Sequence, residues 1–535
     1  MSELPTLITS LPFPKTMRWS DLDITYARPL QWIVALLGKK ALPFQIGPLT
    51  AGKHSRGHSQ LDPDPVPIPK PSDYLETLKK HSVLVDPTKR KCAIADQLAA
   101  IEGEDGATSL RTDDLLPELV HLSEWPMLLR VTFDTRFLEA PEAVLISEMV
   151  VHQRYIPLAK NGALLPTCVV VADNTPCDEI TQGNRSVLTA RLSDGLFLFK
   201  QDLEIGLSAF AKRLGTVTLH PKLGTLADAT SRLETLAEHL SSDLSYGDTA
   251  AIKRAAALCK GDLVSELVSE FPELQGTIGA VYARKQGEPE AVATAIEEHY
   301  LPRHDGDALP SSPEGGILAL ADKLDRLTSF FGIGLKPTSS KDPYALRRAA
   351  LGAIRIAIEA KLPLDFTDFI DDADFLERRC ATVLEQAGFP KDEVSAVLSG
   401  RRCQPYDLMC RLEALHAFRQ SDAFEALSEV YKRARGQLTH DTGASDLSHL
   451  LLREPAEKAL YEAFRSASPR ITTAIETRNY EAAFSHLATF QAPLAGLFDT
   501  VRILDDDKAI RANRLTLLRQ IFTLFDSLID LSKLQ

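Results

Sequence analysis

From Leu226 onward the apolar residues recur every three or four positions, which confines more than half of the chain to helices with one buried stripe. Leu408, Leu412, Leu415 and Phe418 form one stripe, and Phe424, Leu427, Tyr431, Ala434 and Leu438 a second. Leu515, Leu518, Phe522, Phe525 and Ile529 form a third near the carboxy terminus. Such stripes must face partners, so helices packed on helices are expected. No repeat of roughly 20 to 50 residues is visible, which disfavours a solenoid. The first third has a different texture. Short apolar runs at residues 32–37, 127–133, 165–172 and 195–199 suit strands, and residues 142–149 suit a helix. Five prolines in LDPDPVPIPKPSD (residues 61–73) preclude a regular helix there. The expected fold is an α+β amino-terminal domain (1–205) followed by mostly α-helical domains (206–365 and 366–535). The second boundary is placed where KLPLDFTDFIDDAD (361–374) interrupts the helical pattern.

A chain of 535 residues is too long for one core. Its longest apolar runs fall well short of the roughly 18 residues that cross a bilayer, and MSELPTLITSLPFPK has no leader pattern. A cytoplasmic location without membrane contact is the expectation. The seven cysteines contain no C-x-x-C pair and read as reduced thiols. A net charge of −13 counts against a general nucleic-acid binder but permits local basic surfaces.

Several motifs invite chemistry. In FFGIGLKPTSSKDPYALRRAALGAIRIAIE (330–359), Asp342-Pro343 should cap a helix that buries Leu346, Ala349, Ala350, Ala353 and Ile354. Free N–H groups at its start, with Lys341 beside them, suit a phosphate, although the Asp342 carboxylate competes for the same groups. Arg347 and Arg348 point away from the buried stripe. Gly332-x-Gly334 lacks the third glycine of a dinucleotide fingerprint, and no P-loop exists. His54-x-x-x-His58 lacks the zincin glutamate and reads as a loop. Gly261-Asp262, His299, His304-Asp305 and Asp322 look like an HD-type phosphohydrolase centre with glycine in place of the dyad histidine. A divalent metal short of one nitrogen ligand binds weakly, so Asp262, His299 and Asp322 are degenerate positions and no metal is expected. Basic residues cluster late: Arg401, Arg402, Arg411 and Arg419, then Lys432, Arg433 and Arg435, then Arg511 and Arg514. By themselves such clusters read as solvated faces.

Ordered stretches supply a stronger signal. LPFPKTMRW (11–19), YARPLQWIVALLG (26–38), EWP (124–126), FLEAPEAVLISEMVVHQRYIPL (137–158), GDLVSELVSEFPELQG (261–276), ALADKLD (319–325), the FGIG…KDPYALRRAALG segment and DDDKAIRANRLTLL (505–518) follow one another. This sequence resembles the β subunit of the bacterial-type heterotetrameric glycyl-tRNA synthetase. The resemblance implies a first domain similar to the B3/B4-type domain of the phenylalanyl-tRNA synthetase β subunit. An HD-like helical domain and a helical anticodon-binding domain follow. It also implies an α-subunit partner in an α2β2 assembly, with ATP and Mg used by that subunit, tRNA(Gly) as ligand, and no cofactor on this chain. Consistently, no HIGH, KMSKS or class II catalytic motif is present, so no catalytic residue is expected here. Lys432, Arg433, Arg435, Arg511 and Arg514 become candidates for the anticodon arm, and Arg347 and Arg348 for the acceptor side.

Three departures stand out. The family pattern has a longer amino-terminal segment with an EELP-type motif ahead of LPFPK; its lack here suggests a fragment, a shortened relative or part of a fused αβ polypeptide. The family's GNE reads Gly183-Asn184-Arg185, and its KRV-x-NI reads Lys432-Arg433-Ala434-Arg435-Gly436-Gln437. Two rival readings carry their own expectations. An HD-type metal-dependent phosphohydrolase would bind divalent metal, and a scaffold that has lost the synthetase role would ignore tRNA.

Overall fold

The computed structural model describes residues 3–19, 21–110, 114–338, 341–438 and 446–534. The side chains of Ala434 and Leu438, two positions of the second stripe, lie outside the described set. The chain divides into two compact units, residues 1–204 with 269–274, and residues 205–268 with 275–535. No division falls at 365/366.

The first unit centres on a four-stranded antiparallel sheet in the order Met127–Thr132, Ala163–Ala172, Ile156–Lys160, Thr108–Ser109. Register is set by pairs such as Leu129 with Val170 and Pro157 with Cys168. Side chains alternate across the long strand. Leu164, Cys168, Val170 and Ala172 join a core built with Phe137, Leu145, Met149, Leu188 and Leu192. Leu165, Val169 and Val171 join the opposite core with Ile94, Leu98 and Leu119. Because both faces are covered, the strand is apolar on both, with Cys168 to Ala172 an unbroken apolar run. Ahead of the sheet the chain makes two- and three-residue pairings, including His54–Arg56 with Pro65–Pro67 inside the proline-rich connection.

One expected strand is absent. Residues 195–199 belong to the 28-residue helix Asp178–Ile205. Leu188, Leu192, Gly195 and Phe199 form its buried stripe, and Phe197 faces outward at 65% exposure. The helix can approach closely because Gly195 has no side chain: an added Cβ would stand 3.1 Å from Val144 Cγ1. The Gly183-Asn184-Arg185 departure sits on the same helix. Tyr155 Oη donates to Asn184 Oδ1 at 2.6 Å, and Arg185 donates to Thr132 Oγ1 at 3.0 Å.

The second unit is helical, apart from the short pairing of Thr218–His220 with Gly224–Thr225. Pro313–Gly332 is its central helix, with every residue from Gly315 to Ala321 buried. Leu226–Leu244, Thr249–Leu258, Glu290–Glu298 and Leu346–Glu359 pack around it. Caps fix the ends: Thr225 and Asp228 form a capping box, and Ser312 accepts from the Gly315 N–H. Farther along, Lys508–Leu528 buries Leu515, Leu518, Phe522 and Phe525 as the spacing predicts.

A buried acid marks the first unit. Helix Glu142–Ser147 continues into a π turn at Glu148–His152. Glu148 is 2% exposed, and its Oε2 has no hydrogen-bond partner. Burial pushes its carboxyl up to about 7; Arg191 opposes this, while Glu270, Asp194 and Glu273 reinforce it. The folded chain therefore holds a proton that the unfolded chain releases near pH 4.5, and stability falls as pH rises from about 4.5 to 7. We expect Glu148→Gln to abolish that slope and to be the more stable protein at pH 8, by on the order of 3 kcal/mol. Urea unfolding of both proteins across pH 4 to 8 measures it, and parallel pH profiles would refute the assignment.

Candidate nucleic-acid interface and a closed metal centre

The HD-like positions come together in the second unit without forming a metal site. Asp262 is fully buried and accepts the N–H groups of Gly276 and Gly279 at 2.6 and 3.0 Å. Burial nevertheless pushes its carboxyl up to about 6, against those hydrogen bonds. His299 is also fully buried, with Nδ1 2.6 Å from the Ile296 carbonyl, so Nδ1 carries the proton. Burial, with Lys260 nearby, holds this imidazole well below its usual range and therefore neutral. Asp322 is paired with the Lys260 ammonium at 2.7 Å, which also lies 4.1 Å over the Tyr300 ring. Despite its own burial, Asp322 is held well below the usual carboxylate range by Lys260 and Arg326.

The missing histidine is more than an absent ligand. A Cβ on Gly261 would meet Leu207 Cδ1 at 3.0 Å, the Leu207 carbonyl at 3.1 Å and the Ala211 nitrogen at 3.3 Å. The short helix Leu207–Arg213 lies where a dyad side chain would have to grow. His304 is exposed, with Nδ1 2.9 Å from the Asp305 carbonyl. Among the described residues no three His, Cys, Asp or Glu side chains are grouped to hold a metal ion. The donor set does not fit a divalent metal, because the cation facing Asp322 belongs to the protein.

Basic residues sort into buried and exposed. Arg514 is 6% exposed and ion-paired with Glu457, which is 1% exposed, and with Asp505 at 2.8 Å. Its expected role in meeting phosphate is corrected: the guanidinium fastens Lys508–Leu528 to Pro455–Glu476. Arg511 is half-buried and donates to the Asp505 carbonyl at 3.4 Å. Arg411 is buried against Asp407 and the Ser527 carbonyl, and Arg401 donates to the Ser527 and Asp526 carbonyls. Arg411 and Arg514 are internal cations, whereas Arg401 and Arg511 are only partly buried and are tied to backbone carbonyls. Lys432, Arg433 and Arg435 are exposed on Asp422–Leu438. Arg433 makes a 3.6 Å ion pair with Asp499 and lies over Phe498, whereas Arg435 bonds Tyr431 Oη at 2.7 Å and Asp530 at 3.2 Å.

The helix expected after Asp342-Pro343 starts later, at Leu346, because Ala345 takes a left-handed backbone (φ +54°). Asp342 still caps it, accepting the N–H groups of Leu346 and Arg347 at 2.9 and 3.0 Å. Those donors are thus occupied. Arg347 is half-buried and Arg348 exposed, and both line a cavity of about 400 Å³ with Arg355 and Arg379. Sequence reasoning missed Lys260, although it directly precedes Gly261-Asp262, and missed Arg326 and Arg379, which carry no local motif.

Comparison with known proteins assigns the chain to a family. Residues 427–533, the bundle carrying Lys432 to Arg435, match the DALR anticodon binding domain, a class of tRNA-reading helical domain. Residues 1–399 match the family described as glycyl-tRNA synthetase beta subunit. The chain is 36% identical to the glycine–tRNA ligase beta subunit of Desulforamulus reducens over 99% of its own length and 80% of the relative's. The Bacillus subtilis subunit is 37% identical over 96% and 78%, and that of Citrifermentans bemidjiense 37% over 99% and 80%. The chain belongs to the glycyl-tRNA synthetase β-subunit family.

The Lys260–Asp322 pair gives a stability test. Removing one partner of a buried pair strands a charge, at about 3–5 kcal/mol, whereas replacing both with apolar side chains is often neutral. We expect Lys260→Met to destabilise strongly and Lys260→Met/Asp322→Leu to recover most of the deficit in chemical denaturation. Additive effects of the two substitutions would show that the pair is not coupled.

Proposed function

We propose that this chain is the tRNA-gripping, non-catalytic half of a glycine–tRNA ligase. An α subunit, using ATP and Mg, activates glycine and transfers it to tRNA(Gly) within a cytoplasmic α2β2 assembly. The chain itself needs no cofactor. The observation that carries this reading is the exposed row Lys432, Arg433 and Arg435 on the first helix of the bundle that matches an anticodon-binding domain. Phosphates are met by exposed lysines and arginines, and each neutralised phosphate releases counterions. Arg347 and Arg348 serve the acceptor side in the same way. Arg514 acts indirectly, by holding the bundle together. Fixing the tRNA on one subunit makes the encounter of its end with activated glycine on the other effectively intramolecular.

We expect Lys432→Ala/Arg433→Ala/Arg435→Ala to weaken tRNA(Gly) binding about tenfold or more at physiological salt. The slope of log affinity against log salt should become shallower by roughly 0.7–0.9 for each phosphate left without its cation. In the reconstituted enzyme the KM for tRNA should rise with little change in kcat. Arg514→Ala, by contrast, should lower the unfolding midpoint. Unchanged affinity and salt slope in the triple variant would exclude this surface from tRNA binding.

A further inference from the structure

Three cavities of the second unit share walls. The most enclosed, about 190 Å³, combines apolar side chains such as Leu219, Leu233 and Phe330 with Lys260, Tyr300 and Asp322. A neighbour of about 270 Å³ shares Gln275, Tyr300, Asp322 and Arg326 with it. That one in turn shares Pro302, Ala345 and Arg348 with the cavity of about 400 Å³ beside Arg379. Nine lysines and arginines line the run against four aspartates, on a chain whose net charge is −13.

Some of these cations are satisfied internally. Lys260 pairs with Asp322 and Arg232 with Asp325, while Lys323 donates to the Leu301 carbonyl at 2.6 Å. Others are not. Arg326 stands 3.8 Å from Asp322 with its side chain 41% exposed. Arg348 reaches a carbonyl at only 3.4 Å. Arg379 has a buried Nε with no partner, and burial with Arg347 and Arg378 nearby lowers its guanidinium's affinity for its proton. Nine cations against four aspartates leave the run with an excess of positive charge, which suits an anion from outside.

We propose that the three cavities form one groove for an unpaired RNA strand, with phosphates on Arg326, Arg348 and Arg379 and one base in the enclosed cavity beside Phe330 and Tyr300. The inference rests on the tRNA-binding reading above. Length favours a strand over a free nucleotide: Arg348 and Arg355 are two turns apart on one helix, roughly 10 Å, about three stacked nucleotides at ~3.4 Å each. The enclosed cavity favours an unpaired strand over a duplex. It is smaller than the roughly 300 Å³ at which drug-sized pockets begin, and its aromatic and leucine walls suit the face of one base, which a duplex keeps stacked inside. Lys260 and the Leu207–Arg213 helix, by closing the metal centre, leave this space to binding alone.

The test uses the full chain and fluorescence anisotropy with a labelled unpaired hexaribonucleotide and the same sequence as a blunt duplex. Unlabelled hexamer, AMP and inorganic phosphate serve as competitors. The expected result is at least about tenfold tighter binding of the unpaired strand, as one stacked base accounts for ~1–3 kcal/mol. Arg326→Gln/Arg379→Gln, at the groove surface, should weaken that binding about tenfold by leaving two phosphates without a cation. Ser329→Trp, which fills the enclosed cavity, should erase the preference over duplex; the arginine pair keeps the test decisive if this variant unfolds. Equal affinity for duplex, or displacement by phosphate as effective as by unlabelled hexamer, would overturn the groove. If the groove variants bind normally while the Lys432/Arg433/Arg435 variant loses tRNA, the groove falls and the tRNA reading stands.

Discussion

The helical unit is organised around a charge that is nearly buried. Lys260 lies at the centre of the HD-like positions, 9% exposed, with Asp322 against its ammonium and the Tyr300 ring beneath it. A buried ammonium keeps its charge when a counter-charge meets it, and an aromatic face adds to that attraction. Asp322 projects from the central helix Pro313–Gly332, Lys260 follows Thr249–Leu258, and Tyr300 follows Glu290–Glu298. One ion pair therefore ties three helices at a point where apolar packing alone would leave charges stranded. At the HD-like positions Asp322 therefore faces a protein cation, and an ammonium cannot activate water as a metal would.

The same sorting explains how an acidic chain can hold an acidic ligand. Net charge does not decide phosphate binding; the location of each cation does. Lys260, Lys323, Arg411 and Arg514 are each less than a tenth exposed and bonded to carboxylates or carbonyls. They contribute to folding and are removed from the set that a nucleic acid can meet. Among the cations left exposed, Lys432, Arg433 and Arg435 lie on the matched anticodon-binding bundle and Arg348 beside the closed centre.

Burial is also what the sequence conceals. The strand Ala163–Ala172 was legible because covering both faces left an apolar run. The stripes on Pro405–Arg419 and Lys508–Leu528 were legible because each helix buries one side. GLFLF at 195–199 misled because a five-residue window cannot separate a strand from one turn and a half of buried helix. The period appears only when Leu188 and Leu192 are counted with it. Arg514 looked like any basic residue near a helix start, since its partner Glu457 lies 57 positions away. Local motifs likewise gave the Gly261 vacancy but not the Leu207–Arg213 helix that occupies it. Periodicity reports which face is buried; it does not report which polar residue is buried with it.

Two exposed basic tracts on one helical unit have a consequence beyond their separate strengths. Each alone offers a few phosphate contacts, an interaction that salt at physiological strength largely screens. A ligand long enough to reach both gains the second contact at the effective concentration set by the first, so the affinities multiply. A short RNA that reaches only one tract gains no such multiplication. On the reading proposed here, an acidic surface interrupted by two cationic tracts selects for the size and shape of a folded tRNA before any base is read. That selection needs no reactive group on this chain, and it suits a binding subunit whose HD-like positions hold a buried, ion-paired lysine.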